Sequence, residues 1–379
     1  MTGRIAILGA GNGGCAAAAD LTRRGFDVTL FTRSETRLAP IRERGGLEYI
    51  GVVGDGFAPL KTVTTNIDEA LEGVDLIMIT TPTNAHAWYA QLLAPRLKEN
   101  HFVMLNPGHT GGGLHFVHSL RAAGFQDDVK CCETITLTYG CRMPTPVQVR
   151  ILAVMTRLRL SAFPGKHIDE LTPKIATLFP NVVPAANVLE TGLTNLNAME
   201  HPPGMLLNTG WIEFTQGDFR FYYEGITPSV AKAIQALDDE RMAVVQTLNK
   251  RAGLSMHVMT FIEYFYQAGF TSERALKAND MYLALQDSEP NKPVKSPPSL
   301  AHRYVDEDVG YGLVPIYEIG RMVGVEMPVT RLMIDLASLL RGVDYWQEGL
   351  TLAKMGLDRV PVARLGEFLY EGRLEATGG

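Results

Sequence analysis

Two segments of this 379-residue chain gather residue types that move protons or hold charge. In Asn195-Leu196-Asn197-Ala198-Met199-Glu200-His201-Pro202-Pro203-Gly204, Asn197 and His201 stand four apart and share one face if the segment is helical. Pro202 and Pro203 predict that this helix ends or kinks there, leaving His201 in its last turn. A helix C-terminus favours imidazolium, and a histidine so placed exchanges protons near neutral pH. The competing reading is a histidine hydrogen-bonded inside the core. The second segment, Arg303-Tyr304-Val305-Asp306-Glu307-Asp308-Val309-Gly310-Tyr311-Gly312, sets one arginine and three acids beside two glycines. It also reads as an ordinary helix start with acids on its dipole. Nothing in the sequence brings Arg303 or Asp308 to His201.

A third segment has the pattern of a dinucleotide site. Arg4-Ile5-Ala6-Ile7-Leu8 reads as a buried parallel strand, and Gly9-Ala10-Gly11-Asn12-Gly13-Gly14 follows it. Cys15 to Arg24 is a small-residue helix closed by Gly25, and Asp27-Val28-Thr29-Leu30-Phe31 is a second strand. Gly9 permits the tight turn, Gly11 lets backbone approach a pyrophosphate, and Gly14 lets helix and strand pack closely. The helix N-terminus offers free N–H groups to phosphate. The competing account is a purely structural glycine turn. An NAD site usually ends the second strand with Asp or Glu for the ribose 2′-hydroxyl. Here Thr32-Arg33-Ser34 stand there, with Arg37 a turn later, types that suit a 2′-phosphate. The expected cofactor is NADP, with NAD as the alternative. A solvated Arg33 is the bland reading.

The elements that position these groups change character along the chain. After the first βαβ unit come a helix at Asp68–Leu71 and a strand at Asp75–Ile79 that runs into Thr80-Thr81-Pro82. A helix near Ala85–Leu97, a strand at Phe102–Leu105 and the loop Asn106-Pro107-Gly108 follow. Both loops lie at carboxyl ends of strands, where open α/β sheets bind ligands, so Thr81 and Pro82 join the cofactor candidates. Asp128–Glu133, Ile135–Leu137 and Ile151–Met155 read as further strands, broken by Pro144-Thr145-Pro146. Beyond Pro184 helical patterns take over. Thr227-Pro228 starts a helix that runs to Gly253, His257–Tyr266 reads as helical, and Met327-Pro328 starts another that stops at Gly342. In that last helix Leu332, Leu336 and Leu339 share a face. Ser288–Ser299, with four prolines, reads as a loop, and the tail Glu375–Gly379 as frayed. The expected architecture is an α/β Rossmann-type dinucleotide-binding domain, residues 1–184, followed by an all-α helical domain, residues 185–379. The cleft between them is the expected active site.

Composition narrows the function classes. Hydrophobic residues make up 46% and charged residues 20%, which fits a folded globular chain. A net charge of −6 argues against a nucleic-acid partner. No apolar run reaches the length of a membrane helix, about 18 residues. Four cysteines are no disulfide framework, which points to a reducing cytoplasm. Met1–Leu21 could pass for a signal peptide, but the glycine spacing explains it better. No metal site is expected: His115-x-x-His118 lies in a glycine-rich stretch without carboxylates beside it, and Cys131-Cys132 reads as core.

Taken in order, several motifs resemble the octopine/nopaline (opine) dehydrogenases, from about residue 4 to about residue 340. They are the glycine turn with Asn12, Thr138-Tyr139-Gly140-Cys141-Arg142, His201-Pro202, Phe221-Tyr222-Tyr223-Glu224-Gly225 and Arg303-Tyr304-x-x-Glu307-Asp308. The resemblance implies a Rossmann domain plus a helical domain. It implies NAD(P)H-dependent reductive condensation of an α-keto acid with the amino group of an amino acid through an imine, and the reverse oxidation of a CH–NH bond. It also implies that His201 is the catalytic histidine, Asp308 the acid that pairs with it, and Arg303 the arginine of the same segment. Asn197 matches a polar position seen in some members, and Cys141 and Arg142 are substrate-pocket candidates by position. The chemistry agrees: a keto-acid carboxylate wants a bidentate guanidinium, and carbinolamine dehydration wants an acid/base near neutral pH. The expected partners are small-molecule substrates, with a homodimer as the assembly. Two other readings stay open. Ketopantoate reductases and 3-hydroxyacid dehydrogenases usually carry a catalytic lysine on the first helix of the helical domain, and Leu193–Met205 has none. A non-catalytic NADP-binding sensor would have no use for an acid/base.

Overall fold

The structure, a computed structural model, describes residues 4–374, so the expected fraying of Glu375–Gly379 lies outside the described residues. The chain divides into two units, Met1–Gly192 with Glu367–Gly379, and Leu193–Gly366. The first unit is the Rossmann-type α/β domain and the second is all helical. The expected boundary at 184 sits eight residues early, and the return of the chain to the first unit at Glu367 has no signal in the sequence.

Twelve strands build the first unit: β1 (Arg4–Leu8), β2 (Val28–Phe31), β3 (Gly46–Gly51), β4 (Gly56–Pro59), β5 (Thr62–Thr64), β6 (Val74–Ile79), β7 (Phe102–Leu105), β8 (Cys131–Thr134), β9 (Tyr139–Thr145), β10 (Gln148–Val154), β11 (Leu158–Ala162) and β12 (Val182–Pro184). Eight form one sheet in the order β12-β11-β8-β7-β6-β1-β2-β5, all parallel except the β8–β11 pair. Strand order reverses at β1, and the ends of β1, β2 and β6 meet at this switch point, where such sheets bind ligands.

The remaining four strands form a second sheet, β4-β3-β10-β9, most of which is not apparent from the sequence. Its strands hold four glycines and a proline in each of two strands, so their two-residue periodicity is weak. Ile135–Leu137 is not a strand, and β9 runs through Pro144 instead of stopping at it. As the edge strand of its sheet, β9 can do without the ladder donor that proline lacks. The helix Asn12–Arg23 packs between the two sheets and is buried from Gly13 to Leu21. Its Cys15-Ala16-Ala17-Ala18-Ala19 run is what lets backbone approach on every side. Tyr139 donates its hydroxyl to buried Asp20 across 2.9 Å, fastening β9 to that helix.

In the second unit the long helix Pro228–Ala252 starts and stops where the sequence signals put it. Thr227 caps it, Pro228 takes the first position, and Gly253 ends it at φ 63°. The expected helix at His257–Tyr266 is shorter, Phe261–Gln267. A capping box between Thr260 and Glu263 fixes its start. The helix Pro328–Arg341 also has its expected limits, but the leucine face turns outward. Leu332 is 58% and Leu339 78% exposed, while Met333, Ile334 and Ala337 are buried. The Glu240 carboxylate accepts from the Val329 and Thr330 N–H groups, which sets the rotation of that helix. The 288–299 segment is a loop, laid along Phe219–Phe221 by backbone bonds from Phe221 to Val294 and from Ser296 to Phe219.

A fully buried ion pair organises this unit. Arg241 donates to Asp238 (Nε–Oδ1 2.9 Å) and to the Met259 carbonyl, while Asp238 accepts from the Phe261 N–H. Asp238→Ala leaves the guanidinium buried without its counter-charge. It should cost about 3–5 kcal/mol in urea unfolding. A loss below about 1 kcal/mol would show that the pair is not structural.

Candidate active site

In the first unit, loops after β1, β2 and β6 line a cavity of about 620 Å³. Gly9 turns there at φ 119°, a conformation that side chains other than glycine rarely adopt. A Cβ on Gly14 would lie 1.7 Å from the Gly9 carbonyl oxygen, so only glycine lets helix and turn meet. A Cβ on Gly11 meets nothing within 4 Å. The open space is on the cavity side, where a pyrophosphate would lie against backbone N–H groups. These observations fit a dinucleotide.

Of the cofactor candidates, Gly9, Gly11, Thr32, Arg33, Ser34, Thr81 and Pro82 line the cavity. Gly13 and Gly14 lie behind it, buried in the helix. The Asn12 side chain is engaged elsewhere. Its Oδ1 accepts from the Met143 N–H at 3.1 Å, tying the second sheet to the glycine turn. Arg33 stands over the Trp88 ring at 5.2 Å, and Arg37 donates to the Ala10 carbonyl at 2.7 Å. Thr80, Asn84, Ala85, Trp88 and Tyr89 also line the cavity and were not among the expected residues. The aromatic pair Trp88-Tyr89 just after the β6 loop was the available signal. The loop expected to bind ligand at Asn106 is engaged internally instead, because the Asn106 Oδ1 accepts from the Thr138 N–H and hydroxyl.

Cys141 and Arg142 do not line this cavity. Cys141 is a core residue of β9 whose thiol is pushed up to about 11 by burial, and Arg142 donates to the Cys141 carbonyl. Cys131 and Cys132 are buried thiols whose pKa burial raises.

In the second unit the structure does what the sequence could not and brings Asp308 to His201. Their Oδ2–Nδ1 separation is 2.7 Å, and both side chains are almost wholly buried. The helix Asn197–Leu206 carries both prolines inside it, so His201 sits in its middle and not in a last turn. The prolines forgo two backbone donors, yet packing holds the helix together around them. His201 is therefore not in the last turn of its own helix, and the group at its Nδ1 is the Asp308 carboxylate, the last residue of the helix Arg303–Asp308.

Two glycines make the approach. A Cβ on Gly312 would lie 2.7 Å from that of Ala198, so the turn after Asp308 presses directly on the histidine helix. That turn, Val309–Leu313, is a π-turn, a widening common at functional sites. Gly204 lets Phe221 close on the same helix, since a Cβ there would lie 2.5 Å from its ring.

The result is a dense cluster. Tyr304 stacks on the imidazole at 3.6 Å and 10°. The Tyr222 hydroxyl lies 2.8 Å from Nε2, with its pKa raised by burial first and then by the Glu200 charge. With Asp308 accepting at Nδ1, the neutral ring carries its proton there, and Nε2 accepts from Tyr222. Glu200 is also buried, 3.7 Å from Nε2. Tyr222, Tyr304 and Glu200 were not expected as chemical groups, although all three stand inside the motif segments. Asn197 opens the helix one turn before His201, half-buried. The Arg303 guanidinium, half-exposed, pairs with buried Glu307 at 3.3 Å.

A Rossmann domain with an open glycine cradle and a helical domain holding a buried acid/base dyad define an NAD(P)-dependent oxidoreductase. Comparison with known proteins narrows the class. The family model described as NAD/NADP octopine/nopaline dehydrogenase, alpha-helical domain, matches residues 184–341, and the ketopantoate reductase PanE/ApbA model matches residues 5–109. An opine dehydrogenase of Arthrobacter sp. (strain 1C) is 34% identical over 358 residues, covering 94% of this chain and 96% of that protein. The chain belongs to the opine dehydrogenase family. Its fold matches the structure of octopine dehydrogenase with NADH and L-arginine at a TM-score of 0.78 and 20% identity, over 99% of this chain and all of that one. NADP+-bound yersinopine dehydrogenase matches at 0.74 and 16% identity, over 98% and 99% of the two chains.

Gly11→Val should abolish NAD(P)H binding in a fluorescence titration and leave thermal unfolding almost unchanged, because the added side chain enters only the open space. Undiminished binding would overturn the cradle assignment.

Proposed function

We propose that this protein condenses an α-keto acid with the amino group of an amino acid and reduces the resulting imine with NADPH. The observation that carries the reading is the buried His201–Asp308 dyad in a chain that also holds a dinucleotide cradle. When bound, the nicotinamide supplies the hydride. Glycine-turn N–H groups hold the pyrophosphate, and Arg33 and Arg37 take a 2′-phosphate. The absence of a carboxylate among the lining residues after β2 supports NADP over NAD.

In the helical unit His201 Nε2 handles the proton. It takes one from the attacking amine as the C–N bond forms and passes it to the alkoxide, which becomes the carbinolamine hydroxyl. It then protonates that hydroxyl, which leaves as water, and takes the last N–H proton as the imine forms. Asp308 holds the ring by Nδ1 and stabilises the imidazolium. The Tyr222 hydroxyl occupies Nε2 in this structure, so substrate displaces it or exchanges protons through it. Half-exposed Arg303 is the cation for the keto-acid carboxylate, with Glu307 holding its guanidinium in place. Asn197, on the same helix face one turn away, is a candidate substrate contact. A homodimer is the proposed assembly. A ketopantoate-reductase-like reading draws on residues 5–109, the nucleotide-binding part.

Two measurements test this. NADPH should bind more tightly than NADH, and Arg33→Asp should narrow or invert the preference. Equal dissociation constants in the unmutated protein would end the NADP assignment. In a matrix of keto acids against amino acids followed by NADPH oxidation, His201→Ala should lower turnover by roughly 10²–10⁴-fold with NADPH affinity unchanged. Asp308→Asn should lower kcat as well. Loss of cofactor affinity together with turnover would instead mark His201 as structural.

A further inference from the structure

Condensation followed by dehydration moves two protons from nitrogen to oxygen, one to make the alkoxide a hydroxyl and one to let that hydroxyl leave as water. The second is needed before nitrogen has released its last proton, so the site must lend one. A neutral His201 paired with Asp308 has none to lend at Nε2, and the hydroxyl there belongs to a tyrosine whose ionisation burial opposes. A second carboxyl lies at the same nitrogen. Glu200 is the residue before His201 on the same helix, only 5% exposed, with Oε1 3.7 Å from Nε2 and Oε2 without a hydrogen-bond partner.

We propose that Glu200 is the proton store of this site, a positioning residue that shares one proton with His201 and works through it. The inference rests on the reaction proposed above. In one state the proton sits on the Glu200 carboxyl and the imidazole is neutral. In the other it has moved to Nε2, leaving a carboxylate facing an imidazolium. The transfer changes no net charge, so it escapes most of the cost of charging a buried group. As His201 protonates the departing hydroxyl, the Glu200 O–H bond breaks and the N–H bond at Nε2 re-forms. The proton that the nitrogen still carries after water has left returns to the Glu200 carboxylate through Nε2 as the imine forms, which restores the starting state. The gap of 3.7 Å closes by a small approach of the carboxyl.

The groups that face Glu200 agree with this. They are His201 on its own helix, Asp308 from the Arg303–Asp308 helix, and Tyr222 from the 219–225 segment. Burial first, and then the Asp308 charge, push the Glu200 carboxyl up to about 8. It is therefore a neutral acid at pH 7, able to donate.

The test is the pH profile of kcat for reductive condensation, with full-length protein, NADPH, keto acid and amino acid all saturating. In the unmutated protein kcat should fall about tenfold from pH 7 to pH 9 as the stored proton is lost, the fraction expected for one group titrating near 8. Glu200→Gln keeps the shape, cannot ionise and cannot relay. Its kcat should be lower at pH 7 and change less than about threefold over the same range. An unchanged kcat at pH 7, or the same tenfold fall in the variant, would overturn the proposal. Should Glu200→Gln fail to fold, carbon-13 NMR of carboxyl-labelled glutamate in the unmutated protein takes its place. Two buried glutamates, Glu133 and Glu200, should titrate near or above pH 7, and His201→Ala should move only the higher one, Glu200, upward, because the imidazolium that favours its carboxylate is gone. A titration that does not move overturns the sharing. If no pair of keto acid and amine is turned over by the unmutated protein, the reaction proposed above fails, and the NMR arm still decides whether the two groups share a proton.

Discussion

The buried polar cluster of the helical unit is built around one contact, the 2.7 Å bond from His201 Nδ1 to Asp308. It joins side chains 107 residues apart and takes an ionisable pair almost entirely out of water. Burying such groups is costly unless each is paired and hydrogen-bonded. The surroundings meet that demand: a tyrosine hydroxyl at Nε2, a stacked tyrosine face, and a second carboxyl that burial keeps protonated at pH 7. The contact exists because two helices come closer than side chains normally permit. Gly312 over Ala198 and Gly204 under Phe221 are the places where the missing Cβ matters.

The nucleotide unit is built on the same device for a different end. A helix of glycine and alanine can be packed between two sheets, and its N-terminus then points into the space beyond the strand ends. The second sheet does more than cover that helix. Through Tyr139 on Asp20, and through the Met143 N–H on Asn12, it fixes the helix and the turn that opens it. The glycines thus divide by role. Gly9 and Gly14 shape the turn, and Gly11 leaves room for ligand.

The cavity that fits a dinucleotide and the buried histidine cluster lie in different units of this chain. The cavity is lined by glycine-turn backbone, hydroxyls, two arginines and an aromatic pair, with no histidine or carboxylate among its lining residues. This division explains why a ketopantoate reductase model can match residues 5–109 while the family itself is recognised in the helical part and over the whole chain.

The βαβ start, the turn at Gly9 and close packing at Gly14, the switch to helices and the caps at Thr227, Gly253, Pro328 and Gly342 were legible in the sequence, because each is a local preference of a few neighbouring residues. The second sheet was not, since weakly patterned strands are recruited by the helix they cover. Nor was the outward turn of Leu332 and Leu339, because periodicity says which residues share a face and not what that face meets. The place of His201 in its helix was hidden for a related reason: two prolines forbid local hydrogen bonds, but tertiary packing kept the helix whole. By itself the sequence determined which residues could do chemistry and, through family motifs, which of them belong together. Only the tertiary structure decided that Asp308, Tyr222, Tyr304 and Glu200 meet at one imidazole, because contacts across a hundred residues depend on how closely helices pack, and no local pattern encodes that distance.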